Sequence, residues 1–154
     1  MSLVMGHGRP RRVEVAANMD ASAVETAADL RRQRKREMIE SIVARAEHLP
    51  AGDRELLYLL FRDGKKVTDV AALLGADVRR VRRRVKRLIR LVHSPAFAYV
   101  ALAAEEWPET RRRVAREVFL FGHTLRDAAR TLGVSLHLVR KHAEAVRAIV
   151  EAAR

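Results

Sequence analysis

The chain has 154 residues, of which 49% are apolar and 32% charged, and its formal net charge is +12. This composition can bury a core, which excludes a compositionally disordered chain, and the absence of cysteine excludes disulfides and thiolate chemistry. The low aromatic content, the many Ala, Leu and Arg residues and the lack of strand-like alternation predict an all-α fold, and the positive charge favours polyanionic partners.

The first predicted elements are a flexible tail over residues 1–22 and an amphipathic helix over residues 23–48. Met38, Ile42 and Ala46 recur at helical spacing and give this helix one apolar stripe. We expect the stripe to pack on the segment that follows, and a dimerising helix is the alternative. The basic run Arg31–Arg36 is interpreted as a solvated helix face or a clamp for phosphate.

Two segments repeat one another with an offset of 58 residues, the spacing between Pro50 and Pro108. The other matched pairs include Phe61 with Phe119, Gly64 with Gly122, Asp69 with Asp127, Ala71 with Ala129, and Leu74-Gly75 with Leu132-Gly133. Gly, Pro and Asp rarely coincide by chance at one fixed offset, so the pattern indicates a duplicated module. We define the first module as residues 49–92, the connecting segment as 93–106 and the second module as 107–154.

The first helix of each module and the connecting segment have clear boundary signals. In the first module a helix is predicted over Ala51–Arg62, and Gly64 is typical of the left-handed residue that ends a helix. In the connecting segment Ser94 is expected to cap a helix that has Pro95 in its first turn. A helical connection predicts that the two modules are held in a fixed relation.

Two further helices are predicted in each module. In the first module we expect Thr68 to cap a short helix, Gly75 to form a tight turn and Asp77 to cap the next helix. In the second module Thr124 and Ser135 take the capping roles. A short helix, a glycine-containing turn and a second helix form the layout of a helix-turn-helix, whose second helix can enter the major groove.

The two copies, TDVAALLGADVRRVRRRVKRL and TLRDAARTLGVSLHLVRKHAEAV, resemble region 4 of bacterial sigma-70-family factors, particularly the extracytoplasmic-function group. The family pattern has a Leu-Pro opening, a Gly before the helix-turn-helix, an Ala inside its first helix and a Leu-Gly turn. The first module opens with Leu49-Pro50, and the second opens with Trp107-Pro108. The resemblance implies a transcription regulator that binds promoter-like duplex DNA in the bacterial cytoplasm, at the nucleoid, with RNA polymerase as a further candidate partner. No segment resembles region 2, so the resemblance does not imply promoter melting.

The third helix of the first module is predicted to read DNA. A helical wheel turns Val81, Val85 and Leu88 towards the core, and eight of the twelve positions from Arg79 to Arg90 are Arg or Lys. Phosphates would relieve the repulsion among these cations. The predicted base-reading residues are Val78, Arg79, Arg80, Arg83 and Arg84. The predicted phosphate contacts are Lys65, Lys66, Arg82, Lys86, Arg87 and Arg90.

The corresponding helix of the second module is less basic. Leu138 stands in place of Arg80, and Glu144 stands in place of Lys86. We therefore expect this helix to make secondary contacts with DNA, or to meet a protein such as a second copy of the chain or a polymerase subunit. The residues assigned to these secondary contacts are His137, Leu138, Arg140, Lys141 and His142.

Other classes of function have no positive sign in the sequence. The chain has no nucleophile–base arrangement, glycine-rich phosphate loop or paired catalytic carboxylates, so we expect neither an enzyme nor a cofactor. His137 and His142 are five residues apart and face different sides of a helix, so no metal is expected. No apolar stretch approaches the roughly 20 residues that cross a bilayer, so no membrane partner is expected. A polymerase-binding adaptor or other protein-interaction module, and nonspecific nucleoid or RNA binding, remain as alternatives.

Overall fold

The fold is helical throughout the described part of the chain. A computed structural model describes the backbone of residues 12–154 and the side chains of residues 23–154. These residues form eight α-helices and no strand, so the predicted all-α class is confirmed. Residues 1–11, half of the predicted tail, lie outside the described residues.

The helices follow the offset of 58 residues seen in the sequence. In chain order they are α1 (Arg12–Ala46), α2 (Ala51–Leu57), α3 (Val67–Leu73), α4 (Val78–Val92), α5 (Pro95–Ala103), α6 (Glu109–Ala115), α7 (Leu125–Leu132) and α8 (Leu136–Ala152). Helices α2 and α6 continue into π-helical turns, Tyr58–Arg62 and Arg116–Leu120, and α5 continues into a 3₁₀ turn, Ala104–Glu106. The first residues of α2, α3 and α4 therefore recur as the first residues of α6, α7 and α8.

Helix α1 is longer than predicted, because it begins at Arg12 rather than at residue 23. No glycine or proline lies between Pro10 and Pro50, and Ala, Met and Arg are good helix formers, so nothing in the sequence stops the helix earlier. The chain forms two compact units, residues 1–38 and 39–154, which divide within this helix. In the first unit the run Arg31–Arg36 is exposed, and Arg32 is paired with Asp29.

The second unit has one continuous core to which both modules and α5 contribute. Ile42 and Ala46, at the end of α1, belong to this core, whereas Met38 is 48% exposed. The predicted apolar stripe is thus buried only in its last part. Arg45 fixes this end of α1, because its Nη1 donates a hydrogen bond to the carbonyl of Val92 at 2.8 Å.

The turn between α3 and α4 has the predicted glycine geometry. Gly75 has φ +58°, and the amide of Ala76 donates to the carbonyl of Ala71 at 2.9 Å, the long bond of a Schellman motif. Asp77 then caps α4, because its Oδ1 accepts from the amide of Arg80 at 3.0 Å. Ser135, Thr124 and Ser94 make the equivalent bonds at α8, α7 and α5, so these four predicted caps are confirmed.

The predicted cap at Thr68 is wrong. Helix α3 begins two residues earlier than predicted, at Val67, and Lys66 occupies the N-cap with no side-chain hydrogen bond. Val67 is the first residue of the helix and packs against the core, and Thr68 is exposed within the first turn. Thr124 aligns with Lys66, so the two modules differ in this cap.

The modules are joined by packing as well as by chain connection. The segment between them is a helix, as predicted, and its Phe97 and Val100 are fully buried. At the end of α4, Leu91 lies directly over Gly122 of the second module, where an added Cβ would stand 3.0 Å from the Leu91 Cδ2. The last residues of α4 therefore support a turn of the second module.

Candidate nucleic-acid interface

The outer face of α4 is a dense row of cations. Four buried residues fix the side of the helix that faces the core: Val81, Val85, Leu88 and Val92. Seven exposed cations occupy positions between them: Arg79, Arg80, Arg82, Arg83, Lys86, Arg87 and Arg90. The predicted helical phase is confirmed by this division. We call these seven residues the α4 cation row.

Acidic side chains do not neutralise this row. Helix α4 contains no Asp or Glu. Among the side chains that the structure describes, no carboxylate lies within 4.0 Å of any cation of the row. Like charges three or four residues apart destabilise a helix by roughly a few tenths of a kcal/mol per pair. A polyanion bound along the row would relieve this repulsion, and its approach is favoured by the field of the row.

The predicted base-reading residues have three different environments. Arg79, Arg80 and Arg83 are exposed on the N-terminal half of α4. Val78 is half-buried and packs against the core, so little of its side chain is available to a ligand. Arg84 is held in an internal ion pair with Asp53. Three of the five residues are therefore free to meet a base edge.

The ion pair between Arg84 and Asp53 joins α4 to α2. The Nε of Arg84 donates to Asp53 Oδ1 at 2.7 Å, and its Nη2 lies 2.6 Å from the same oxygen. Asp53 is only 8% exposed, and a buried carboxylate needs such a partner. Sequence reasoning missed this pair, although Asp53 precedes Leu56 and Leu57 by three and four residues and so shares their buried face.

Three of the predicted phosphate contacts line one shallow groove of about 490 Å³. Lys65 and Lys66 come from the loop before α3, and Arg82 comes from α4. The other lining residues are Leu60, Phe61, Val67, Thr68 and Val85. Lys and Arg stems can lie along such an apolar lining while their charged heads stay in solvent, which suits contact with a phosphate backbone.

The remaining predicted phosphate contacts extend the row towards the C-terminal end of α4. Lys86, Arg87 and Arg90 are exposed, and the Arg90 Nε donates to the Lys86 carbonyl at 3.4 Å. A helix of 15 residues is about 22 Å long, so these cations lie well beyond the base-reading half of the helix.

The outer face of α8 differs from that of α4. His137, Arg140 and Lys141 are exposed, whereas Leu138 and His142 are half-buried. The buried positions match those of α4, because Val139, Ala143, Val146 and Val150 face the core. The second module thus keeps the packing of the first but has a less basic surface.

The position of the internal ion pair is filled differently in the second module. Arg111 aligns with Asp53, and His142 aligns with Arg84. Burial lowers the pKa of His142 below its ordinary value of 6.5, and the positive charges of Arg111 and Lys141 lower it further. The Nε of Arg111 is buried and has no hydrogen-bond partner among the described residues. Two basic groups therefore stand where the first module has an acid and a base.

No three His, Asp or Glu side chains of the described residues come together as a metal-binding group. None of the helices described is both long enough and apolar enough to span a membrane.

Comparison with known proteins gives no relative: no protein-family profile, curated protein or solved structure matches the chain. The resemblance to sigma region 4 therefore stays a prediction from the sequence, carried by the motif residues alone. In the first module these are Leu49-Pro50, Gly64, Ala71 and Leu74-Gly75.

Proposed function

We propose that the protein is a transcription regulator that binds specific duplex DNA through a helix-turn-helix similar to sigma region 4. In this proposal α3, the turn 74–77 and α4 form the motif of the first module, and α7, the turn 132–135 and α8 form a second copy. The observation that carries the proposal is the α4 cation row, which is exposed, unpaired within the described chain and placed directly after a glycine turn.

The N-terminal half of α4 would lie in the major groove. A groove about 12 Å wide admits one helix, and the N-terminal residues of a recognition helix are the ones that reach base edges. Arg79, Arg80 and Arg83 occupy that half and are exposed. Arginine donates two hydrogen bonds to O6 and N7 of guanine, so these residues favour a site containing guanine.

The phosphate contacts would hold the helix on both sides of the groove. Lys65, Lys66 and Arg82, which line the shallow groove on the protein, would contact the phosphates of one DNA strand. Lys86, Arg87 and Arg90 would contact phosphates further along the DNA backbone. If all six neutralise phosphates, the logarithm of the binding constant falls with the logarithm of salt concentration with a slope of about −5.

The test begins with selection of bound sequences from a random duplex library, followed by fluorescence anisotropy with the full chain. Arg80→Ala is expected to relax the selected preference at one base position and to weaken binding by about 1–3 kcal/mol. Lys65→Ala/Lys66→Ala is expected to weaken binding to every duplex by a similar factor and to reduce the salt slope by about 2.

Scrambled duplex and RNA duplex of the same sequence are the controls. If selection yields no consensus, or if all three nucleic acids bind equally, nonspecific binding replaces the proposed function. If Arg80→Ala weakens all sequences equally, Arg80 is a phosphate contact and not a base-reading residue.

A second candidate function is protein interaction through α8, which would make the chain an adaptor for RNA polymerase. The half-buried Leu138 and the exposed Glu144 on the outer face of α8 favour this alternative. It predicts a complex with core polymerase that persists at a salt concentration at which duplex binding is lost. A pull-down at that salt concentration that retains no polymerase would exclude it.

A further inference from the structure

The ion pair that joins the first and third helices of the first module has no counterpart in the second module. In the first module Asp53 of α2 accepts two contacts from Arg84 of α4. In the second module the aligned residues are Arg111 of α6 and His142 of α8. The place of a carboxylate is thus taken by a guanidinium, and no acid of the described residues forms an ion pair with it.

The guanidinium of Arg111 has no acidic partner among the described residues. Its Nε is buried without a hydrogen-bond partner among the described residues. Glu105, an acid of the preceding turn, is instead bound by Arg112 at 3.4 Å. Buried polar groups without partners are rare, and they often mark functional sites. A carboxylate is the acceptor that fits a guanidinium best, because it can take two parallel hydrogen bonds.

The surface around His142 suits a protein better than a phosphate backbone. Leu138 and Ala145 lie four residues before and three residues after His142, so all three share one face of α8, and all three are half-buried. The aligned residues of α4 are Arg80, Arg84 and Arg87. The same face is therefore entirely cationic in the first module but apolar on either side of one basic residue in the second.

We propose that Arg111 and His142 form a binding site for a carboxylate, which an Asp or Glu side chain of a partner protein supplies. This carboxylate supplies the negative charge that Asp53 supplies in the first module, and apolar side chains next to it pack against Leu138 and Ala145. The site is separate from the α4 cation row and does not depend on DNA binding.

The test uses the full chain at constant ionic strength and, as the carboxylate probe, a fluorescently labelled peptide that carries one glutamate between leucines, because a polyanionic probe would also bind the α4 cation row. The variant Arg111→Asp/His142→Arg rebuilds the internal pair of the first module and so removes the need for an external carboxylate. The matched control is Arg113→Ala, which makes the same change in net charge with an exposed residue of the same helix. We expect the double variant to bind the probe at least about fivefold more weakly than the wild type, and Arg113→Ala to lose less than about twofold.

Two further measurements separate the outcomes. Circular dichroism and thermal unfolding check the fold, and Arg111→Gln/His142→Gln repeats the binding measurement if the first variant is unfolded. Equal losses in the double variant and in Arg113→Ala would overturn the proposal, because the probe would then respond only to net charge. A loss of duplex DNA affinity as large as the loss of probe affinity would also overturn it, since the site would then hold phosphate.

Discussion

Helices α4 and α8 bury aligned residues and expose different ones. Val81 and Val92 of α4 face the core as Val139 and Val150 of α8 do. On the outer faces, seven exposed cations of α4 contrast with the mixed surface of α8, which includes Glu144. The buried positions therefore define the three-helix packing, and the exposed positions are free to define the ligand. In our proposal the same scaffold presents a nucleic-acid surface in the first module and a protein surface in the second.

The largest effect is expected when the outer face of α4 is given the residues of α8. Arg79→His/Arg80→Leu/Lys86→Glu removes two predicted guanine contacts and reverses one predicted phosphate contact. We expect duplex affinity to fall by at least about 100-fold, since each bidentate contact contributes roughly 1–3 kcal/mol. Fluorescence anisotropy with the selected duplex measures this loss.

The matched control for that variant lies in the second module. Arg140→Ala/Lys141→Ala removes two exposed cations of α8 that align with Arg82 and Arg83. A change of less than about fivefold is expected, because these residues make only secondary contacts in our proposal. Comparable losses from both variants would show that the two modules share DNA binding equally.

The next largest effect concerns the internal ion pair of the first module. Arg84→Ala leaves the carboxylate of Asp53 buried without a partner, and we expect the free energy of unfolding to fall by about 2 kcal/mol. This loss is at the low end for a broken ion pair because the Arg84 side chain is 41% exposed to solvent. Asp53→Asn/Arg84→Ala is expected to cost less than Arg84→Ala alone. Urea unfolding measures both, and a larger cost for the double variant would show that the pair does not matter.

A smaller effect distinguishes the caps of α3 and α7. Thr124→Ala removes the hydroxyl oxygen that accepts a hydrogen bond from the amide of Asp127, and it is expected to cost about 1 kcal/mol. Thr68→Ala changes an exposed residue inside the first turn of α3 and is expected to cost less than about 0.5 kcal/mol. Thermal unfolding of the two variants gives the comparison, and a larger cost at Thr68 would contradict the assigned helix start.

The smallest effect is a pH dependence that arises in the second module. Because burial and Arg111 lower the pKa of His142 in the folded chain, the unfolded chain takes up a proton first as the pH falls through 6.5. The contribution of this group to stability is complete above that pH and is lost as the pH decreases further. His142→Gln should therefore flatten the acid side of a plot of unfolding free energy against pH. His137→Gln, on the same helix, is the control, and the same flattening in both variants would argue against a special environment for His142.

Local signals in the sequence predicted much of the fold. Asp77, Ser94 and Ser135 cap helices through hydrogen bonds to amides three residues away, so each cap is encoded within one turn. Gly75 and Gly64 have the positive φ that their positions predicted. Thr68 was misassigned because the start of α3 depends on the packing of Val67, which is a contact with distant residues.

The candidate site was only partly predictable for the same reason. Helical phase alone identified the exposed cations of α4, and it turned Arg84 outward with them. The partner of Arg84 lies 31 residues away on another helix, so only the packing of α2 against α4 reveals the ion pair. The unpartnered Arg111 likewise has no local signature. Alignment of the two modules at the offset of 58 residues pairs it with Asp53, which is the one sequence signal that could have drawn attention to it.

The contact of Leu91 with Gly122 distinguishes two glycine turns that align at the offset of 58 residues. Gly64, the aligned residue in the first module, has open space where its side chain would be, whereas Gly122 is covered by the end of α4. The turn at Gly122 therefore has a contact with α4 that the turn at Gly64 does not have in the described structure. If the two modules were exchanged along the chain, we expect the contact between Leu91 and Gly122 to be lost. The two aligned glycine turns thus have the same backbone conformation but different surroundings.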